Sequence, residues 1–247
     1  MAIYCLTVAA SDTSSGAGIQ RDLKVFHDNG VWGLSVITGI TAQNFNNVFY
    51  KKSLDKNEVE IQLKTVFENF RISAVKIGVV FNKEIMKLVK KYLLSNNIKN
   101  IIIDPIISAS DGSKLLYNYA IKYFKEEFLK IANLITPNIP ELELISGNKI
   151  QNEDDIISNA KSLSTKYDTY IFVKGGHFNT NKKIVKDYLI KNNKIKIFES
   201  SRRKLSQTHG TGCIISSAIT ANISKGLSLE ESIVRAKEYF NSIMEAI

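Results

Sequence analysis

The stretch "IYCLTVAASDTSSGAGIQRDLKVF", residues 3–26, decides the class of fold. It begins with an apolar run, continues through a turn of small polar residues and glycines, and ends in a segment whose apolar residues recur at helical spacing. The order is therefore strand, tight turn, helix. A chain that repeats this order builds a parallel sheet with helices on its faces. The opening residues predict an α/β protein whose first element is a buried strand.

The same order recurs along the chain. Segments of helical periodicity alternate with four further apolar runs, "AVKIGVV" (74–80), "NIIIDP" (100–105), "NLITPN" (133–138) and "TYIFVKGG" (169–176). Residues 184–199 break the alternation as two short strands around Asn192 and Asn193. That pattern predicts an antiparallel hairpin at the end of a mostly parallel sheet.

Two helical segments close the chain. The first ends at Gly226, which suits a left-handed cap, and the second begins at Ser228 with a capping box to Glu231. The sequence has no internal repeat, low-complexity tract or linker. At 247 residues, it predicts a single domain over residues 1–247.

Composition and charge exclude several classes of protein. The chain is 44% hydrophobic and 23% charged, as soluble globular proteins are, and no apolar run approaches a membrane span. It lacks a secretory leader, and Cys5 and Cys213 have neither disulfide nor metal spacing, so we expect a cytoplasmic protein with no membrane partner. The net charge of +9 raises nucleic-acid binding as a hypothesis. The lysines are scattered and no nucleic-acid module is recognisable, which favours a solvated surface and no nucleic-acid partner.

The unusual loops all follow predicted strands. In open parallel sheets, ligands lie beyond the carboxyl ends of the strands. Six loops fall there: "ASDTSSGAG", "TAQN", "IGVV", "DPI", "TPNIPE" and "KGG". Their convergence on one edge predicts a binding site.

The most specific of the remaining motifs is "THGTGC", residues 208–213. Its two glycines allow the backbone to approach a ligand, and the N–H groups of a following helix suit a phosphoryl group. At the first helical turn, Cys213 would have its thiol pKa lowered by the helix dipole. Alternatively, Cys213 is a small buried hydrophobe.

Two further motifs have both a functional and a structural interpretation. In "TPNIPE", Asn138 and Glu141 offer oxygen atoms of the kind that hold Mg²⁺, often through water. The same spacing is that of an N-cap with its capping-box glutamate. Lys174 at a strand end could meet phosphates, although most lysines are simply solvated.

Taken in order, "LTVAASDTSSGAGIQRDLKVF", "TAQN", "VKIG", "DPI", "LITPNIPE", "FVKGGH" and "HGTGC" resemble the hydroxymethylpyrimidine/phosphomethylpyrimidine kinase family of thiamine biosynthesis. The resemblance runs from residue 3 to about residue 240. It implies a three-layer α/β/α ribokinase-like fold, ATP and Mg²⁺ as cofactors, and two successive phosphorylations. The acceptors would be 4-amino-5-hydroxymethyl-2-methylpyrimidine and then its monophosphate.

The resemblance also implies roles for individual residues. At the phosphoryl end it gives Cys213 as the base for the hydroxyl proton, the backbone of Gly210, Thr211 and Gly212 as an anion hole, and Lys174 and Thr208 as nucleotide contacts. Around these it gives Asp104, Asn138 and Glu141 as metal-linked residues, and Asp22 and Gln43 as contacts to the pyrimidine.

Four positions depart from the family pattern at the acceptor end. Ala10 stands where a glycine is common, Val79 where a methionine is usual, and Ser108 with Ser110 where a valine and a lysine are usual. Ala10, Val79 and Ser108 are therefore also candidate substrate contacts. The departures affect the choice of acceptor more than the type of reaction.

Two other functions compete with this interpretation. A pyridoxal kinase commonly reads Met-Asp where this chain has Gln43-Asn44, and a glutamine amide can pair with an aminopyrimidine edge, which favours the pyrimidine. A catalytically silent regulator would be expected to lose Cys213, an anion-hole glycine or Glu141, and all are present. The resemblance further implies a homodimer.

Overall fold

The structure, a computed structural model, describes residues 2–109, 111–178, 183–202 and 209–245. Its strands are β1 (Tyr4–Asp12), β2 (Trp32–Gln43), β3 (Val48–Ser53), β4 (Ile72–Ile77), β5 (Ile101–Ile103), β6 (Leu134–Ile135), β7 (Tyr170–Val173), β8 (Ile184–Lys191) and β9 (Lys194–Ser201). They form one sheet in the order β3-β2-β1-β4-β5-β6-β7-β8-β9. The six strands from β2 to β7 in this order are parallel, and β3, β8 and β9 are antiparallel to their neighbours.

Helices cover both faces of the sheet. They are α1 (Gly18–Asp28), α2 (Lys56–Asn69), α3 (Lys83–Ser95), the short α4 (Ile121–Tyr123), α5 (Ile139–Ser146), α6 (Glu153–Tyr167), α7 (Thr211–Ser224) and α8 (Leu229–Glu245). Residues of α1, α7 and α8 pack on one face, and residues of α2, α3, α5 and α6 pack on the other. This arrangement is the predicted three-layer α/β/α fold.

The alternation of side chains along each strand produces the two cores. In β5, Ile101 and Ile103 belong to the larger core on the side of α2 and α3, whereas Ile102 belongs to the core under α7 and α8. A strand with period two and apolar residues on both faces must be covered on both sides. The continuous run "III" is therefore the sequence signal of a central strand.

Several predicted details are confirmed. The hairpin turns at Asn192, which has a φ of 52°, and Ser228 and Glu231 form the predicted capping box of α8. Gly226 follows α7 with a φ of 88°. The edge strand β3 is an element that the sequence analysis missed. Within the described residues, none of the helices combines the length and apolarity needed to cross a membrane.

Adjacent glycines after β7 provide a test of this packing. A Cβ at Gly175 would lie 1.8 Å from the carbonyl oxygen of Lys186 in β8, whereas a Cβ at Gly176 would meet nothing within 4 Å. Gly175→Ala should therefore lower the free energy of unfolding by about 1–3 kcal/mol, as overpacking does. Gly176→Ala, the matched control, should change it by less than about 0.5 kcal/mol. Urea unfolding of both variants is the measurement, and equal losses would contradict the described β7–β8 contact.

Candidate active site

A cleft of about 820 Å³ lies at the carboxyl ends of the parallel strands. The predicted convergence of loops is therefore confirmed. Twelve of the predicted site residues line this cleft: Ala10, Gln43, Val79, Asp104, Ser108, Asn138, Glu141, Lys174, Gly210, Thr211, Gly212 and Cys213. Thr208 and Ser110 lie outside the described residues.

The turn between β1 and α1 is organised by Asp12. One carboxylate oxygen accepts hydrogen bonds from the backbone and hydroxyl of Ser14 at 2.8 Å, and the other accepts one from Ala17 N at 2.8 Å. The second oxygen also lies 3.0 Å from His209 Nε2. Burial alone would raise the pKa of Asp12, but the hydrogen bonds from His209 and Ser14 hold it well below its usual range. His209, which the sequence analysis gave no role, thereby joins the first loop to the beginning of α7.

The N-terminus of α7 is aimed into the cleft by two glycines. Gly210 has a φ of 77°, and a Cβ there would lie 1.7 Å from the carbonyl oxygen of Gly16. A Cβ at Gly212 would lie 2.9 Å from Lys174 Nζ. Because the first N–H groups of a helix have no helical partners, helix N-termini attract anions, and the start of α7 together with the ammonium of Lys174 has the charge that suits one.

Lys174 is held by a buried carboxylate. Its Nζ lies 2.7 Å from Asp104 Oδ1, and Asp104 also accepts hydrogen bonds from Thr136 and from Ser216 of α7, each at 3.1 Å. Burial opposes ionisation of Asp104, but the Lys174 and Lys76 ammoniums lower its pKa below the ordinary value. In this structure Asp104 is thus a partner of Lys174 and positions it toward α7.

Asn138 and Glu141 form a capping box at the start of α5, which is the structural interpretation that the sequence left open. Asn138 Oδ1 accepts a hydrogen bond from Glu141 N, and Glu141 Oε2 accepts one from Asn138 N, both at 2.8 Å. Burial raises the pKa of Glu141 to about 7, with the Lys174 charge opposing the shift and Asp104 adding to it. A nearby cation would favour the ionised form of this carboxyl group.

The donor set suits a Mg²⁺ ion held mainly by phosphates and water. No group of three or more His, Cys, Asp or Glu residues able to hold a metal is present in the part of the chain that the structure describes. Mg²⁺ keeps several waters and commonly uses one or two carboxylates with substrate phosphates. Glu141, whose Oε1 takes no part in the capping box with Asn138, fits this mode, whereas both oxygens of Asp104 accept hydrogen bonds from its three donors.

Cys213 lies at the first turn of α7 as predicted, but its predicted thiolate is wrong for this structure. The residue is only 4% exposed, and burial raises the pKa of its thiol to about 11. The Lys76 charge and a hydrogen bond from the backbone of Gly18 lower the pKa, yet they do not outweigh the burial. Desolvation of a thiolate at this position therefore exceeds its stabilisation by Lys76 and by the backbone of Gly18.

The prediction that Asp22 contacts a ligand is also wrong for this structure. Asp22 is fully buried beneath the cleft and does not line it. Its oxygens accept hydrogen bonds from Thr7 at 2.6 Å, Ser217 at 2.7 Å and Lys76 at 2.8 and 2.9 Å. Lys76, which the sequence analysis overlooked, reaches the wall of the cleft. A lysine within the apolar run "AVKIG" was the available signal.

The acceptor end of the cleft is more apolar. Ala10 and Val79 belong to one small core cluster and are 4% and 8% exposed, while Ser108 is exposed at the rim. The backbone of Gln43 is fixed by Thr13, whose hydroxyl lies 2.7 Å from Gln43 O. Gln43 therefore stands on an anchored strand end, and its side chain makes a hydrogen bond to Asp12 that also lowers the pKa of that carboxyl group.

A helix N-terminus, a buried lysine and an apolar wall in one α/β cleft are features typical of a small-molecule phosphotransferase. The family model described as phosphomethylpyrimidine kinase matches residues 12–246. The chain belongs to this family, and its fold is the ribokinase-like fold of vitamin kinases.

Individual relatives are similar over nearly their whole length. A hydroxymethylpyrimidine/phosphomethylpyrimidine kinase of Staphylococcus aureus is 36% identical over 237 residues, which cover 96% of this chain and 86% of the relative. The crystal structure of a phosphomethylpyrimidine kinase from Clostridium difficile is 36% identical, with a TM-score of 0.86 over 98% of this chain and 99% of that one. An ADP complex of Bacillus subtilis pyridoxal kinase is 31% identical, with a TM-score of 0.87 over 96% and 90%.

The raised pKa of Glu141 predicts a pH-dependent stability. A carboxyl group with a higher pKa in the folded state contributes stability that is present below pH 4.5 and is lost as the pH rises through about 7. Glu141→Gln keeps the capping hydrogen bonds but cannot ionise. Without metal, its free energy of unfolding should gain about 2 kcal/mol over the wild type between pH 5 and pH 8.

Urea unfolding across this pH range checks the expectation. Glu58→Gln, the same replacement in the exposed capping box of α2, is the control. If the Glu141→Gln and wild-type curves stay parallel, the carboxyl group of Glu141 is not the buried acid described above.

Proposed function

We propose that this protein transfers the γ-phosphoryl group of ATP to the hydroxyl of 4-amino-5-hydroxymethyl-2-methylpyrimidine and then to the resulting monophosphate. The observation that carries the proposal is the position of Cys213 at the first turn of α7, in one cleft with Lys174 and Gln43. The names of the relatives support the two acceptors, and the ADP complex of the pyridoxal kinase supports ATP as donor.

The residues of the cleft divide the work of phosphoryl transfer. The backbone N–H groups at the start of α7 and the ammonium of Lys174 stabilise the negative charge on the moving phosphoryl group. Glu141 and Asn138 would hold Mg²⁺ through its waters, and the ion, when bound, neutralises charge on the phosphates. The thiolate form of Cys213, a small fraction at neutral pH because the thiol pKa is about 11, takes the proton of the acceptor hydroxyl as the oxygen attacks.

We further propose that the chain acts as one catalytic domain and as a homodimer. The single sheet from β1 to β9 supports the first proposal. The edge strand β3, with Phe49 71% and Tyr50 52% exposed, supports the second. The molar mass in solution, measured by light scattering, would check the dimer, and a monomer would exclude it.

The second candidate function is phosphorylation of pyridoxal or pyridoxine. The observation that favours it is the similarity to the Bacillus subtilis pyridoxal kinase. Gln43 favours the pyrimidine, because its amide can donate to a ring nitrogen and accept from the amino group. The hydroxypyridine ring of pyridoxal or pyridoxine does not offer the same pair of hydrogen-bonding groups.

Comparing acceptors tests the assignment directly. ATP consumption should be fastest with hydroxymethylpyrimidine or its monophosphate and slower with pyridoxal. Gln43→Met should reduce kcat/KM for the pyrimidine more than for pyridoxal, by about tenfold or more, because the wrong side chain leaves polar edges unpaired. A wild-type preference for pyridoxal would overturn the main proposal, and equal losses in the variant would remove Gln43 from acceptor recognition.

Replacing Cys213 separates proton transfer from phosphoryl stabilisation. The first acceptor is an alcohol that must lose a proton, whereas the second is a phosphate monoester that is largely ionised near neutral pH. Cys213→Ala should slow the first reaction by roughly 10²–10⁴-fold and the second much less. The backbone donors of α7 remain in the variant and should serve both steps.

The raised thiol pKa adds a second readout. Because that pKa is about 11, the wild-type rate with the alcohol should rise with pH across the assay range, and the Cys213→Ala rate should not. Separate assays of the two acceptors at saturating ATP and Mg²⁺ provide both comparisons. A similar loss on both acceptors would mean that Cys213 shapes the loop and does not carry the proton.

A further inference from the structure

A buried ion pair lies under the catalytic end of the cleft. Lys76 of β4 and Asp22 of α1 are both fully buried, and Lys76 Nζ lies 2.9 and 2.8 Å from the two oxygens of Asp22. Burying two charges is expensive and is often no more stabilising than an apolar pair of the same size. A contribution to stability is therefore a weak explanation for the burial of these two charged residues.

Lys76 is fully buried and lines the wall of the cleft. Asp22 is its only hydrogen-bond partner among the residues that the structure describes. A Cβ at Gly78 would lie 3.0 Å from Lys76 Nζ, so glycine at this position leaves the ammonium room at the cleft wall. An ammonium has three N–H groups, and two are sufficient for the two oxygens of Asp22.

The pair is tied to the face of α7 that carries Cys213. Ser217 donates a 2.7 Å hydrogen bond to Asp22, and Cys213 lies four residues earlier, on the same face and one turn nearer the cleft. Of the charged groups that face the thiol, Lys76 is the one that most favours its ionisation. The others are Asp22 on α1, Asp104 after β5 and Lys174 after β7.

We propose that Lys76 is a positioning residue that supplies the counter-charge for Cys213 when the sulfur exchanges a proton with the acceptor hydroxyl. The proton of the hydroxyl moves to the thiolate, the oxygen forms its bond to the γ-phosphorus, and the bond from that phosphorus to ADP breaks. The thiol then returns its proton to water before the next turnover. Asp22 holds Lys76 in place and limits its effect on the sulfur. This role rests on the proposed function of Cys213.

The test measures the thiol itself and needs no substrate. In a Cys5→Ser background, the rate of alkylation of Cys213 by iodoacetamide is followed by mass spectrometry between pH 7 and pH 9.5, with Cys5→Ser/Cys213→Ser as the blank. Only the thiolate reacts, so the rate changes about tenfold for each unit by which the thiol pKa moves.

The two members of the pair should shift this rate in opposite directions. Asp22→Asn keeps the ammonium and removes its carboxylate, so alkylation at pH 8 should be about tenfold faster. Lys76→Met/Asp22→Asn removes both charges and leaves none unpaired, so it should fold and react about tenfold more slowly than the wild type. The double variant keeps the test available if Asp22→Asn does not fold.

A structural role for the pair would give a different result. The proposal would be overturned if the variants lose unfolding free energy but do not shift the alkylation rate in opposite directions. It would also be overturned if the double variant reacts as fast as the wild type. Because no acceptor is present, this outcome is distinguishable from a failure of the proposed kinase activity, which the acceptor assays measure. In the alcohol assay, the double variant should need a higher pH than the wild type for the same rate.

Discussion

The close approach of two backbone segments, at Gly16 and Gly210, determines the geometry of the cleft. The carbonyl oxygen of Gly16 occupies the space in which any side chain at Gly210 would begin, and it also accepts a hydrogen bond from Arg21 Nε. The contact joins the first loop of the sheet to the start of α7, and the Asp12–His209 interaction reinforces it. This contact fixes the direction of α7. If the helix pointed elsewhere, its N-terminal N–H donors and Cys213 would no longer line the cleft.

The rotation of α7 about its axis is fixed separately, by two buried carboxylates. Ser216 donates to Asp104 and the adjacent Ser217 donates to Asp22, and each aspartate is paired with a buried lysine. Neighbouring residues on a helix project about 100° apart, so two such anchors allow only one rotation. The polar groups beneath the cleft therefore orient the helix that begins at it, and this precision offsets their cost in desolvation.

Much of the architecture could be predicted because it is written in local patterns. Apolar runs between helical segments gave the parallel strands, and glycine, asparagine and capping residues gave the turns. Strand β3 was missed because its residues are largely exposed, so "VFYKKS" has no buried face and no clear alternation. An edge strand that packs against no core can form without alternating apolar and polar residues.

The errors at the site have a different origin, since they concern environments that form only on folding. Asp22 falls on the buried face of α1 with Ile19 and Val25, and this spacing was available from the sequence. Its pairing with Lys76, by contrast, brings together residues that only the topology places side by side. Likewise, a helix terminus at Cys213 is visible in the sequence, but the depth of burial that raises the pKa of its thiol is not.

The position of β1 in the interior of the sheet, between β2 and β4, has a consequence for biosynthesis. Cys5 of this first strand packs against Ala221 of α7, and its sulfur lies 4.0 Å from the carbonyl oxygen of Thr220. One face of the earliest strand is thus covered jointly by α1, which is synthesised next, and by α7, which is synthesised almost last. While the chain is still on the ribosome, α1 can cover its share of that apolar face, but the share that α7 covers stays exposed until α7 has left the exit tunnel.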